Sequence, residues 1–570
     1  MEGDLEKPKV KGINQKKCIR LHFMDLGRSV IDSKGKGGSK LSKLKKILSL
    51  VLFLVLVTLI IAGCSKAQET SERNASEGPS DNFNKEGMPI VDEEIELKFF
   101  ARRSPVNGPY KDMSVFKEFE KLSNIKIEWN DVPQDGFDER KNLEYAAKKL
   151  PDAFYKAEIS HAEAVKYGSS GLFIPLEDLL EEYAPNLTAL FEQYPEIKSS
   201  ITAPDGHIYA LPAIVELDAA RTEKFWVNKD WLDKLGLEEP TKPEELVDVL
   251  TAFKNDDPNG NGKQDEIPLT ERNFPTLVNN MASSWGLLQD MGNTINIEND
   301  KVHIWKTDDK YKDLLQFLNK LYKEGLLDRD VLSHFPSEYT AKLSTGKVGM
   351  SHTQGDDMST QYKDYEYIGI APIKGPFGDQ LVKASPLARD FGTFAITSAN
   401  EYPEATIRWI DYFFSKEGSI FFRYGVEGET FNYDDNGLPQ YIEEDANLEN
   451  VTPFPGGGAP QYITEYNSSA INSEAVQEAQ KKFDPYLPEV IYGAPLFDEK
   501  TTKEVNQIRQ DMDAYYNETS SQFINGDLSF DKWDEYVDKW DEYVSTIENM
   551  GLERLEEIYQ EAYDKNFKEQ

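Results

Sequence analysis

The chain has 570 residues, with 64 Lys and Arg against 101 Asp and Glu, giving a formal net charge of −37. It is too long for a disulfide-stapled miniprotein, and 39% hydrophobic with 12% aromatic residues supplies a substantial core, which excludes global disorder and fibrous repeats. Residues 1–46 hold 13 Lys and Arg against 5 Asp and Glu and residues 47–63 hold no charge, so a +8 leader leaves −45 on residues 64–570. No Lys/Arg run follows Lys46, and such a field argues against nucleic acid as a partner.

The first element in chain order is an address. Lys40 to Lys46 form a basic stretch, followed by the uncharged run from Ile47 to Ala62 and then Gly63 and Cys64. As a helix that run covers about 24 Å, short of a comfortable hydrocarbon span, so a secretion signal is preferred to a permanent membrane helix. The tetrad Ile61-Ala62-Gly63-Cys64 resembles a bacterial lipobox. Cys64 is then expected to become the new N-terminus and to carry fatty chains worth about 0.8 kcal/mol per buried CH₂. Cys18, the other cysteine, lies upstream, so the mature chain has no intramolecular disulfide. Residues 1–63 read as leader and signal peptide and 64–90 as a flexible tether, with the folded body starting near Val91.

Ile95 to Phe99 alternates at period two, Val115, Phe116, Phe119 and Leu122 recur at helical spacing, and Ile125, Ile127 and Trp129 alternate again, predicting strand, helix, strand. A helix from Asp138 to Lys149 leads to a short strand at 150–154. Gly171 to Leu176 precedes a helix, Asp205 to Pro212 gives a turn and strand, and Phe225 to Asn228 gives a strand before a helix from Lys229 stopped by Gly236. Strands at 347–351, 367–373 and 391–397 and a helix from Pro403 to Phe414 follow,. Alternating strands and helices predict α/β architecture with a largely parallel sheet, whose ligands sit at the strands' carboxyl ends. Past Thr501 the pattern is helical, and DKWDEYV occurs twice in succession at 531–544. Trp533, Tyr536, Val537, Trp540, Tyr543, Val544 and Ile547 share one helical face, read as core-facing, with a partner-binding face as the alternative.

The sharpest local motif is Asp257-Pro258-Asn259-Gly260-Asn261-Gly262-Lys263-Gln264-Asp265-Glu266. Asp257, Asn259 and Asn261 repeat every second residue before Gly262, the pattern of an oxygen-lined Ca²⁺ loop. Lys263 offers a carbonyl and Asp265 a carboxylate. Position twelve is Pro268, so Glu266 is the substitute for the missing bidentate Glu. A structural Ca²⁺ is preferred here to a self-capped Asx turn. Catalytic motifs are missing: the histidines lack H-E-x-x-H spacing, and there is neither G-x-S-x-G nor a P-loop,. A glycosidase's carboxylate pair stays open.

LPDAF at 150–154, GLFIPLEDLLEEYAPNL at 171–187, DGHIYALP at 205–212, FWVNKDWLDKLGL at 225–237, DPNGNGKQDEIPLT at 257–270, STGKVGM at 344–350 and YPEATIRWIDYFFSKEG at 402–418 together resemble the solute-binding lipoproteins of ABC importers, family 1, in the branch similar to alginate- and other oligosaccharide-binding proteins. The resemblance implies a type II periplasmic-binding-protein-like fold of two α/β lobes around a cleft, with a helical C-terminal region. It places lobe 1 at 91–213 and 390–450, lobe 2 at 222–387 and 451–570, and crossovers near 213–222 and 385–391. It makes Asp257, Asn259, Asn261, Lys263, Asp265 and Glu266 the calcium ligands. It also implies a monomeric, non-catalytic component that is held at the outer face of the cell membrane by its lipid and delivers an oligosaccharide to the permease. A secreted carbohydrate-active enzyme is the alternative. Sugar faces stack on aromatics and hydroxyls need planar polar groups, so the candidates near predicted strand ends are Arg103, Tyr209, Trp226, Trp285, Gln354, Asp356 and Arg389.

Overall fold

The computed structural model describes residues 81–568 apart from 148, 289–293, 335, 356, 443–447, 455–456, 468–472, 490 and 531–538. Cys64, Asp356 and the first copy of the heptad lie outside the described residues. In chain order the strands are β1 (Ile95–Arg103), β2 (Ile125–Pro133), β3 (Ala153–Tyr155), β4 (Leu211–Val215), β5 (Lys224–Asn228), β6 (Ile267–Leu269), β7 (Ile295–Glu298), β8 (Lys301–Ile304), β9 (Val348–Thr353), β10 (Tyr367–Ile370), β11 (Ala388–Ile396), β12 (Phe431–Tyr433), β13 (Pro439–Tyr441) and β14 (Tyr462–Ile463).

Local sequence explains the elements that frame the sheets. The alternation of β1 buries Ile95, Leu97 and Phe99 on one face. The helix Ser114–Ser123 buries Val115, Phe116 and Phe119 and ends at Asn124 in the left-handed region, φ 59°, where a short polar side chain is tolerated. The helix Lys229–Leu235 starts where the Asn228 side chain accepts from the Trp231 N–H, and ends at Gly236 with φ 67°, an N-cap and C-cap read directly from residue type.

Two sheets result. The larger runs β14-β4-β11-β3-β1-β2 and the smaller β10-β5-β9-β6. In the first, β1, β2 and β3 are parallel while β11 runs against both β3 and β4. In the second, β5 is antiparallel to β9 and β10, and β6 is parallel to β9. The expected largely parallel sheet is therefore corrected to mixed sheets, because the chain enters β5 and β11 from crossing segments rather than from packed helices. Those crossings lie side by side: Thr222 bridges Ala384, the Ser385 N–H donates to the Arg221 carbonyl, and Arg221 Nη1 donates to the Ser385 carbonyl at 2.9 Å.

Each sheet has its own core. Phe99, Phe119, Trp409, Phe413 and Phe422 pack on the first, with Phe413 and Phe422 stacked at 3.6 Å. Trp231, Phe253, Leu314 and Leu318 belong to the second, together with Tyr516, Phe523, Trp540, Tyr543 and Ile547 of the C-terminal helices. Those helices, Glu499–Asn525, Lys539–Asn549 and Leu552–Tyr563, complete the second core, so the described half of the duplicated heptad is core-facing.

Two expected boundaries shift. The ordered body begins before Val91: Phe83 bridges Val91, Ile90 is fully buried, and the Arg408 guanidinium donates to the carbonyls of Asn84 and Gly87. The low apolar content of 81–90 hid a segment held mainly by its backbone. Residues 451–467 were expected with the second lobe. Instead Phe454 and Ala459 sit in the first core and β14 pairs with β4, the Ile214 N–H donating to the Gln461 carbonyl.

Candidate functional site

The carboxyl ends of β1, β3 and β4 and the start of β11 share one edge of the first sheet. Backbone there is strained: Lys156, Glu158 and Asp390 have φ of 50°, 47° and 50°, conformations that L-residues adopt at a cost and that concentrate at functional edges. Gly392 has φ 77°, and a Cβ on it would meet the Ile159 carbonyl at 1.9 Å. Arg102, buried at the end of β1, pairs with Glu158 at 2.7 Å and donates from Nη1 to Gln134 Oε1 at 2.9 Å. Lys156 is fully buried and donates to the Pro453 carbonyl at 2.7 Å. Burial, with Arg102 and Arg423 adding to it, lowers its ammonium to about 7. These cations hold the backbone carbonyls of Pro453 and Gly457 against the sheet edge.

The start of β5 and the ends of β6 and β9 form the corresponding edge of the second sheet. Glu271, just after β6, has no exposed surface. Its carboxylate accepts from His352 Nδ1 at 2.8 Å and from the Arg272 N–H at 3.0 Å. From behind, His334 Nε2 faces the carbonyls of Glu271 and Arg272 at 2.8 and 3.1 Å, holding that strand end. The His352 ring stacks on Phe225 with centroids 4.1 Å apart and planes 9° apart. A narrow cavity of about 30 Å³ opens here, lined among others by Glu223, Phe225, Asn280, Ser284, His352 and Lys383. Asn280 Nδ2 donates to Glu223 Oε2 at 2.7 Å and Glu271 Oε2 at 3.4 Å. Burial depresses the Lys383 ammonium below the usual lysine range, with Glu223 and Glu271 opposing and Arg272 adding to the shift. Glu223 follows Thr222 and Lys383 precedes Ala384, so the cavity adjoins the crossings. A larger cavity of about 620 Å³, lined by Glu177, Glu181, Glu192 and Lys198 among others, lies off the helices Glu177–Tyr183 and Pro185–Gln193, before β4 and away from both strand-end edges.

The residues expected from sequence divide. Gln354 and Arg389 meet: Gln354 Nε2 and Arg389 Nη1 both donate to the Ala220 carbonyl, at 2.7 and 2.8 Å, joining the end of β9 and the start of β11 to the first crossing. Arg103 stands at the first edge, its guanidinium held by Asp131 at 3.1 Å. Three aromatics are core residues, which corrects their expected role as stacking platforms. Tyr209 is 4% exposed and donates to Asp205 Oδ2; Trp226 is fully buried with Nε1 on the Thr353 carbonyl; Trp285 is 1% exposed with Nε1 on Asp313 Oδ1 at 2.7 Å. Sequence reasoning missed Glu223, Glu271, Asn280, His352 and Lys383. Four of these sit within a few residues of a strand end or crossing, a signal that the strand-end rule supplies; Asn280 is reached only through helix Phe274–Ala282.

In the loop after helix Pro243–Asn255, Asp257 takes φ 47°. The side-chain oxygens of Asp257 and Asn261 accept from the N–H groups of Gly262 and Lys263 at 2.9 and 2.8 Å, and Asp265 accepts from Asn261 Nδ2 at 2.8 Å and pairs with Lys347 at 2.8 Å. Lys347 and Asn261 hold the Asp265 carboxyl down to about 2. Both carboxylate oxygens of Glu266 are buried without a hydrogen-bond donor, and burial followed by the charges of Asp257 and Asp265 raises its pKa. Among the described residues no three His, Cys, Asp or Glu side chains converge as a metal-holding group; here three acids alternate with two Asn side chains. An orphaned carboxylate within an all-oxygen set nonetheless fits a hard divalent cation.

Residues 105–420 match the family described as bacterial extracellular solute-binding protein. The chain belongs to that family. It is a solute-binding protein, not an enzyme, and its two α/β lobes with helical C-terminal region have the type II periplasmic-binding-protein-like fold. It is 28% identical over 545 residues to the fructooligosaccharide ABC transporter substrate-binding protein FusA of Streptococcus pneumoniae, covering 89% of this chain and 97% of FusA. It is 28% identical over 398 residues to the polygalacturonan/rhamnogalacturonan-binding protein YtcQ of Bacillus subtilis, covering 68% and 74%. Structures of S. pneumoniae FusA in complex with kestose, and of its EF-hand mutant with fructo-nystose, superpose at TM-score 0.67 with 28% and 27% identity, each covering 84% of this chain and 100% of FusA. No helix among the described residues is long and apolar enough to cross a membrane.

Proposed function

We propose that this solute-binding protein captures an oligosaccharide between its two sheet edges and hands it to an ABC permease. The observation that carries the reading is the pair of polar strand-end edges joined at adjacent crossings, in a chain similar along most of its length to a fructooligosaccharide-binding protein. Two lobes on a paired crossing can close around a ligand and offer a composite surface to a membrane partner. On this reading lobe 1 comprises 81–215 and 388–467 and lobe 2 comprises 224–370 with the C-terminal helices. The protein acts as a monomer, tethered outside the cell through lipid on Cys64. A Ca²⁺ would be held by Asp257, Asn259, Asn261, Asp265 and Glu266 side chains and the Lys263 carbonyl, supplying positive charge that ties the loop together.

Calorimetry of the mature chain against a panel of neutral and acidic oligosaccharides tests the reading. Saturable binding with a Kd near micromolar, about −8 kcal/mol, is expected, with the sugar recovered intact by chromatography. Cleavage of the sugar, or binding of none of the panel, overturns it.

A further inference from the structure

We propose that the cavity beside the crossings seats a hydroxyl-bearing neutral portion of the solute and rejects a uronate carboxylate at that position. The inference rests on the oligosaccharide reading and specifies the sugar class. It follows from which hydrogen-bonding valences the cavity's polar groups have left over.

Each lining group is partly committed within the protein. His352 is committed to Glu271 through Nδ1 at 2.8 Å, which leaves Nε2 as the ring's remaining hydrogen-bonding atom. Nε2 has no partner among the described residues. Both contacts of the Asn280 amide nitrogen go to Glu223 and Glu271, which leaves the amide oxygen as an acceptor. Glu223 contributes Oε1, whose nearest cation is Arg272 at 4.0 Å, a weak constraint. Lys383 is the one ammonium lining the cavity, and no described residue lies within hydrogen-bond distance of it. The wall thus offers acceptors on Glu223 and Asn280, the Lys383 ammonium as a strong donor, and the Ser284 hydroxyl, which can do either,.

A sugar hydroxyl both donates and accepts, so a single hydroxyl can give its proton to Glu223 or Asn280 while accepting from Lys383. A carboxylate only accepts. Placed here it would satisfy Lys383 but confront the acceptor oxygens of Glu223 and Asn280 and the negative charges of Glu223 and Glu271, leaving buried groups unpaired, which is the strongest form of selectivity available to a polar site. The size agrees: about 30 Å³ is too small for a pyranose ring and takes a single hydroxymethyl or hydroxyl with its water,.

The test uses the full mature chain and calorimetry with nystose, maltotriose, galactotriose and trigalacturonate. At least one neutral sugar should bind, and trigalacturonate should bind at least 100-fold more weakly than it. Glu223→Gln should weaken the neutral sugar about tenfold while narrowing the gap to trigalacturonate. Lys383→Met should weaken the neutral sugar by a similar factor, with an unchanged melting temperature showing that the variant is folded. Equal or tighter binding of trigalacturonate by the native chain overturns the assignment while leaving the oligosaccharide reading standing. An unchanged neutral-sugar affinity in both variants also overturns it. Binding of no sugar of either class sinks the oligosaccharide reading and this inference together.

Discussion

At the scale of single residues, charge placement gives a testable pH dependence. His303, on β8, faces Asp308 Oδ1 at 2.6 Å through Nε2 and Glu556 Oε1 at 3.0 Å through Nδ1. Hydrogen bonds to Asp308 and Glu556 hold its imidazolium up to about 10. A group whose folded pKa is raised contributes stability that is complete below its unfolded value near 6.5 and vanishes as pH rises through the folded one. His303→Gln should therefore destabilise the chain most at pH 6, progressively less from pH 6.5 upward, and not at all above about pH 10. Because the ring is 43% exposed, solvent screening limits the effect to about 1 kcal/mol or less. Urea melts of both chains at pH 6, 8 and 10 measure it, and a penalty that grows with pH would show that the imidazolium is not held by these acids. The same scale explains why some candidate site residues were misplaced. Trp226 and Trp285 carry the chemistry of a sugar platform, but period-two and helical patterns do not reveal which buried face a ring takes. Gln354 and Arg389 do lie at strand ends, the first just after β9 and the second at the start of β11. His352, two residues upstream of Gln354, lies one residue beyond the strand expected at 347–351 and belongs to no spacing that signals chemistry.

At the scale of elements, the Asx-rich loop was fully legible because every second residue of a tight turn projects to one side, a rule that needs no tertiary information. Helix Lys229–Leu235, with its Asn228 cap and Gly236 stop, was legible for the same reason. In contrast, β14 is two residues long and has no period to detect; its place is fixed only by pairing with β4. The loop also yields a crossed prediction. Without metal, Glu266 is a buried carboxylate beside Asp257 and Asp265, so Glu266→Gln should raise the melting temperature of the metal-free chain by removing like-charge repulsion. With Ca²⁺ present the same substitution removes a ligand and should lower it. A cation at 100-fold its Kd stabilises by about 2.7 kcal/mol, so chelation of the native chain should lower the midpoint by a few degrees, and Asp257→Ala should abolish that response. Thermal scans with and without chelator decide it; identical midpoints for the native chain would remove Ca²⁺ from the loop.

At the scale of the whole molecule, a body carrying −45 beyond its leader still gathers Arg102, Arg103, Lys156, Arg389 and Arg423 at one sheet edge, where low dielectric makes local groups outweigh the distant field. The crossings hold this edge to the other. Ala220 accepts from Gln354 of the second sheet's strand end and from Arg389 of the first, and Lys224 is buried with its ammonium donating to the Thr222 carbonyl at 3.0 Å. One carbonyl shared between groups from both lobes couples their relative orientation to the backbone of the crossing. Replacing Gln354 by Ala removes one hydrogen bond worth about 0.5–1.5 kcal/mol, which is a two- to tenfold change in the balance between closed and open arrangements. Gln354→Ala should therefore enlarge the radius of gyration of the ligand-free chain in solution scattering. It should weaken a bound oligosaccharide by the same two- to tenfold and leave the ligand-saturated radius unchanged. An affinity loss with no change in the free radius would make Gln354 a direct ligand contact, and an unchanged affinity with an unchanged radius would take the Ala220 carbonyl out of the closing motion.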